Sequence, residues 1–144
     1  YIAWQEQLLA ALPDATIKVH PKSAPPAFWK KNDSRPLEIC LCQYDVLVLD
    51  YYSTGATLAI SSDKPVIFFD IGLRNLVSVY KEFLRRRCHY VDIDWGQNLQ
   101  EQIGEALSKL MMSSITWDNS FLDSFSITSQ PATPVWRELL KLRS

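Results

Sequence analysis

At 144 residues the chain has the length of about one domain, enough to bury most of its apolar surface without disulfide or metal staples. With 47% hydrophobic and 22% charged residues it reads as an ordinary soluble globular protein, and a formal net charge of -1 leaves no broad basic footprint for nucleic acid. No apolar run approaches the roughly 20 residues that span a bilayer, and no signal-peptide pattern is visible.

The chain opens on Tyr1 rather than methionine and goes directly into a helical pattern, so we expect a piece of a longer protein. Residues 2–12 place Ile2, Leu8, Leu9 and Leu12 at mostly helical intervals, and Pro13-Asp14 stops them. "TIKV" at 16–19 predicts a short strand running into His20-Pro21. Residues 23–35 predict a loop rich in serine, proline and charge, with Phe28 and Trp29 inside it. These two rings either pin the loop to the core or offer an aromatic cover for a base. "PLEICLCQY" predicts a short helix, "VLVLD" a buried strand, "TGATLAISS" a helix and "PVIFFD" a second buried strand. "NLVSVYKEFLRRR" predicts an amphipathic helix, "YVDID" a strand, and "LQEQIGEALSKLMM" a helix. Two short helical patterns follow, around "WDNSFLDSF" and "PVWRELLKLRS", joined by a Ser/Thr/Pro-rich link at 126–134. Trp4, Trp117 and Trp136 all fall on helical patterns, where core packing is the expectation.

Runs such as "VLVLD" and "VIFFD" are nearly continuous in apolar residues, as in strands covered on both faces of a parallel sheet. Their alternation with helices predicts βαβ crossovers. The expected class is therefore α/β, a Rossmann-like parallel sheet flanked by helices. It occupies 1–125, and 126–144 forms a linker and a C-terminal helix that packs back.

Three cysteines, Cys40, Cys42 and Cys88, are too few and too poorly spaced for a disulfide framework or a zinc site. We expect buried thiols in a reducing, cytoplasmic setting. The basic run Arg85–Arg87 ends a predicted helix, where positive charge complements the helix dipole.

Several predicted strands end in polar groups: His20, Asp50, Asp70 and Asp94. Ligands of open parallel sheets bind beyond the carboxyl ends of the strands, so these residues are expected along one sheet edge. The alternative for each aspartate is a turn or helix cap. A phosphate needs amides at a helix start, hydroxyls and a cation or imidazole. Ser53, Thr54 and the Gly55 amide offer the first two, and Gly55 permits close approach of a ligand. His20 offers the imidazole, in a turn stiffened by Pro21. Neither G-x-G-x-x-G nor G-x-x-x-x-G-K-[ST] is present, which removes the NAD and P-loop readings.

"KVHPKS" followed by "DVLVLDYYSTGATLAISSDKPVIFFD" resembles the C-terminal, donor-binding half of a GT-B glycosyltransferase. More narrowly it resembles CDP-glycerol glycerophosphotransferases and related capsule or surface-polysaccharide transferases. Three pieces stand in the family's order: His20-Pro21, Asp45 to Thr54, and Lys64 to Phe69. The later "YVDIDWGQNLQEQIGEAL" and "FLDSF" are similar to its closing segments, so the likeness spans about 14–125. The double tyrosine before Ser53, and "SITSQP" in place of an acidic stretch, depart from the pattern.

The resemblance implies a nucleotide-activated donor, CDP- or CMP-linked in preference to UDP-linked, with His20 and Ser53 on its phosphates and Thr54 assisting. Pro21, Asp50, Gly55 and Asp70 join the expected donor-binding set from their places at the strand ends and the helix start. The resemblance also implies that His20 is catalytic, stabilising the leaving phosphate, and that no tightly bound cofactor or metal is needed. An N-terminal acceptor domain would supply the general base, so the present chain alone would be inactive. The whole protein would be cytoplasmic, associating peripherally with the inner face of a membrane. Two other readings stay open: a UDP-sugar 2-epimerase-like domain, and a non-catalytic α/β module that binds a nucleotide or a protein.

Overall fold

The computed structural model describes residues 1–112 apart from 21 and 23, together with Asp118. Pro21, Trp117, Trp136, "FLDSF" and the expected linker and C-terminal helix lie outside the described residues.

The core is organised around β4 (Val66–Asp70), the central strand of a parallel three-stranded sheet with β3 (Leu47–Leu49) on one side and β5 (His89–Asp92) on the other. Val66, Ile67, Phe68 and Phe69 are each at most 2% exposed, as an unbroken apolar run in a sheet covered on both faces requires. Because side chains alternate across a strand, the run feeds two cores. Val66 and Phe68 pack with α3 (Thr54–Ile60) and α4 (Ser78–Arg87). Ile67 and Phe69 pack with α1 (Ile2–Ala11) and α5 (Leu99–Met112). Burial of each such side chain contributes about 1.5–3 kcal/mol.

Helix α5 shows its 3.6-residue period plainly, burying Ile103, Ala106 and Leu110. Helix α1 does not follow the face expected for it. Ile2 is exposed, and Trp4 is its fully buried residue, set edge-on to Phe69 at 5.3 Å. Helix α4 begins at Ser78, later than its apolar pattern suggests. Leu76 closes a turn onto Arg74, and Val77 is extended.

Strand β1 (Ile17–Lys18) does not join the larger sheet. It pairs in parallel with β2 (Asn32–Asp33), a strand inside the segment expected to be loop. Polar side chains gave no strand signal there. The pairing comes from the backbone, with Ile17 and Val19 N–H donating to the carbonyls of Lys31 and Asp33. The Asp33 carboxylate is buried and accepts from Arg35 and the Tyr44 hydroxyl, which holds the segment in place. After β2 the chain returns through α2 (Leu37–Cys40) and a 3₁₀ turn, Leu41–Gln43, to β3. The result is an α/β arrangement of two small parallel sheets flanked by helices.

Other expectations are corrected by packing. Cys40 and Cys88 are buried, but Cys42 is exposed, and all three are free thiols. The three arginines do more than face a dipole. Arg85 pairs with Asp92 at 2.8 Å, Arg86 pairs with Glu82, and Arg87 is buried, donating to the carbonyls of Ser62 and Lys64. Among the described residues no helix is long and apolar enough to cross a membrane.

Candidate functional site

The turn after β3 carries the densest set of predicted residues. Ser53 is extended and caps α3, its Oγ accepting the Ala56 N–H at 3.4 Å. Thr54, the first helical residue, is exposed. Gly55 has negative φ, and a Cβ there would meet Ser53 Oγ at 3.6 Å and Leu37 at 3.9 Å, ordinary contacts. The two tyrosines before Ser53 divide the work. Tyr52 turns inward, its ring edge-on to Tyr80 at 4.8 Å and its hydroxyl 2.8 Å from Thr57 Oγ1. Tyr51 stays at the surface with the Arg74 guanidinium 4.8 Å above its ring, a cation–π contact.

Asp50 lines a groove between β1 and β3 and already has partners within the fold. Its oxygens accept from the Trp4 indole at 3.1 Å and from the Tyr1 hydroxyl at 3.1 and 3.2 Å, tying the start of α1 to the end of β3. Asp70 is tied down as well. It pairs with Lys81 at 2.6 Å and accepts from the Tyr90 hydroxyl and from the Gly72 amide at 3.1 Å. Gly72 has φ +76°, so the turn after β4 depends on a residue without a Cβ.

The expected single row of strand-end residues is not found. Asp92, not Asp94, is the register partner of Asp70, because β5 ends two residues early. Asp94 instead closes a turn, accepting the Gly96 amide and the Gln97 side chain, each at 2.8 Å. His20 follows β1 and therefore belongs to the other sheet. It is exposed, and its Nδ1 accepts the Lys22 amide at 3.2 Å, which leaves Nε2 as the nitrogen able to donate to a ligand.

Two depressions adjoin this region. The one between the β3 and β4 turns, walled by Tyr51, Asp70 and Arg74, has a volume of about 10 Å³, room for a single water. The other is a groove of about 560 Å³ between β1 and β3, a volume in the range of ligand sites. Leu8, Leu12, Ile17, Val48 and Ala59 line its body, and Asp50, Tyr51, Ser53 and Gly55 stand at one end. Trp29 lines it too, packed edge-on against Phe28 at 6.3 Å. The groove thus brings Ser53 and Gly55 together with Tyr51 and Asp50, while His20 and Asp70 lie outside it. Arg74 and Lys81 were missed from sequence. Arg74 sits in a loop without pattern, whereas the i, i+4 pair Lys81 and Arg85 on one helix face was a usable signal.

Asp50 and Asp70 titrate in opposite senses. Burial raises Asp50 above the usual carboxylate range, against the lowering effect of Tyr1 and Trp4. Its stabilising effect is present below the unfolded value, about 3.9, and is lost as pH rises through the folded value. Burial also pushes Asp70 upward, but Lys81, Tyr90 and the Gly72 amide together outweigh it and hold the carboxyl low. Asp70 therefore stabilises above its unfolded pKa, and that effect is lost as pH falls through its folded value. Urea unfolding as a function of pH checks both. Asp70→Asn is expected to cost about 1–2 kcal/mol at pH 7, a deficit that shrinks toward pH 3. Asp50→Asn is expected to remove the decline of stability above pH 4.

Comparisons with models of protein families, with curated proteins and with solved structures return no match.

Proposed function

We propose that this chain binds a nucleotide-activated donor at the strand-end turns, as the Rossmann-like donor half of a GT-B glycosyl- or glycerophosphotransferase. One observation carries the reading. The turn bearing Tyr51, Ser53 and Gly55 stands at the mouth of the groove between β1 and β3. There the chain changes direction: β1 leads outward to β2, and β3 leads the other way through β4 to β5. Such switch points are where open parallel sheets take their ligands.

The residues at the mouth suit a phosphorylated ligand. The hydroxyls of Ser53 and Thr54 can donate to phosphate oxygens, and Arg74 supplies a fixed positive charge beside the Tyr51 ring. His20, beyond the end of β1, would stabilise the leaving phosphate from the facing sheet. The exposed Tyr51 ring offers a surface for the base. Cytidine nucleotides are favoured over uridine nucleotides by the resemblance of "KVHPKS" and "DYYST" to CDP-glycerol transferases. Acceptor binding and the general base would come from a facing domain, and a cytoplasmic site of action at the membrane's inner face goes with this reading.

Calorimetric titration with CMP, CDP, UDP and GDP tests it. Ser53→Gly is the informative variant, because glycine removes the hydroxyl yet costs a helix cap only a few tenths of a kcal/mol. Cytidine nucleotides are expected to bind, and Ser53→Gly and His20→Ala are expected each to weaken binding by about tenfold, one charge-assisted hydrogen bond's worth. Equal binding by both variants, or no nucleotide binding at all, counts against the proposal.

A further inference from the structure

The body of the 560 Å³ groove separates two parallel sheets whose facing edges pair with no other strand among the described residues. Among those residues strand β3 pairs only with β4 and β1 only with β2. On β3, Leu47 N–H donates to the Pro65 carbonyl, so Leu47 and Leu49 turn their backbone groups toward β4. Backbone direction alternates along a parallel strand, so the amide and carbonyl of Val48 face the groove. On β1, the N–H groups of Ile17 and Val19 go to β2, so those of Lys18 face the groove from the other side. Two parallel edges thus present backbone donors and acceptors to one slot.

The walls of the slot are those of a strand site. Leu8 and Leu9 of α1 and Leu12 just after it line one side, and Ala56 and Ala59 of α3 line the other. Of the charged lining residues, Asp14 and Asp45 lie toward one end and Asp50 toward the other, while Lys18 of β1 directs its ammonium to the carbonyls of Val19 and Asp33. Parallel strands carry helices on both faces and are apolar throughout.

Helix α1 shows how such a strand would connect. Its first residues meet the carboxyl end of β3, through Tyr1 and Trp4 on Asp50, and its last residues lead at the opposite end into β1. It therefore runs antiparallel to the strands, as a crossover helix does. It packs on the face that holds α5, where the Gln100 side chain donates to the Gln7 carbonyl at 2.9 Å. Helices α3 and α4 carry the chain from β3 to β5 on the other face. A strand in the slot, followed by α1 and then β1, would step in the opposite direction on the opposite face. An opposite step on the opposite face gives the same hand as the β3–α3–β4 connection, and crossovers between parallel strands are right-handed as a rule.

We infer that the slot between β1 and β3 is the site of an additional parallel β-strand, an extended apolar segment joined through a short turn to the start of α1. It would pair with Val48 on one side and Lys18 on the other and merge the two sheets into one. Its carboxyl end would abut the Asp50–Gly55 turn. The inference stands on pairing geometry and is independent of any nucleotide.

Amide hydrogen exchange of the full chain tests it, with and without a Val-Ile-Val-Thr-Val segment fused ahead of Tyr1 through a short Gly-Asn-Ser turn. A segment of about five residues has the usual length of a strand. A control carries proline at its centre and cannot pair on both sides. Exchange of the Val48 and Lys18 amides is expected to slow by about tenfold or more with the segment and not with the control. The Ile67 amide of the central strand reports in each protein that the fold is intact. Three results overturn the inference: both amides exchanging as fast with the segment as without it, equal slowing by the proline control, or protection already equal to that of Ile67 without any segment.

Discussion

Trp4→Ala is expected to lower the free energy of unfolding by about 3–5 kcal/mol, the range for removing a large aromatic side chain from a packed core. The Trp4 ring is fully buried, edge-on to Phe69 at 5.3 Å and to Trp95 at 6.3 Å. Its indole N–H also donates to Asp50 at 3.1 Å. Alanine would leave a cavity where α1, β4 and the loop after β5 meet. It would also remove a donor from a carboxyl group that is already partly desolvated. Domains of this size are stable by about 5–15 kcal/mol, so the variant should sit near the limit of folding. Trp4→Phe keeps most of the apolar area and loses the donor, and is expected to cost about 1–3 kcal/mol. Urea unfolding curves separate the two terms. A loss under about 1 kcal/mol in Trp4→Ala would mean that α1 is not docked on this face of β4.

Arg87→Ala should be nearly as costly, at about 3–5 kcal/mol, although the residue sits in a run that reads as a basic helix end complementing the dipole. Arg87 is 2% exposed at the end of α4 and spans to the turn between α3 and β4. One guanidinium nitrogen donates to the carbonyls of Ser62 and Lys64, the latter at 3.3 Å. Those carbonyls close the connection into the central strand. Removing the guanidinium takes the donor from both and leaves a void beside Cys88, itself buried and with its thiol pushed up to about 12 by that burial. Arg87→Lys retains charge and stem but cannot reproduce the planar fork, so an intermediate loss is expected. By contrast Arg86→Ala, which removes an exposed i, i+4 pair with Glu82, is expected to change stability by less than about 0.5 kcal/mol. Equal effects at 86 and 87 in parallel denaturation series would contradict this division.

The candidate site divides along similar lines. The hydroxyls of the "YYST" turn were legible, because a serine between an apolar strand and a helical pattern is a cap with a known geometry, and Ser53 adopts it. The strand-end aspartates were legible as polar ends but not as partners. Asp50 is held by Tyr1 and Trp4, residues 49 and 46 positions away, and Asp70 by Lys81 and Tyr90. No local pattern encodes such pairings. Nor does it reveal that β1 and β3 stand apart, which moves His20 to a different sheet from Asp50 and Asp70.

The sequence by itself determined the alternation of helices and parallel strands, the burial of "VIFF" and the core face of α5. These follow from the spacing of apolar residues, a one-dimensional property that burial must respect. Tertiary structure alone decided the rest. It made a strand of Asn32–Asp33, chose Trp4 over Ile2 as the anchor of α1, and buried one arginine of three. It also left a slot between two strand edges that pair with nothing else among the described residues. Each of these depends on which distant backbone or side chain lies opposite, and hydrogen-bond pairing across a fold leaves no period in the chain that forms it.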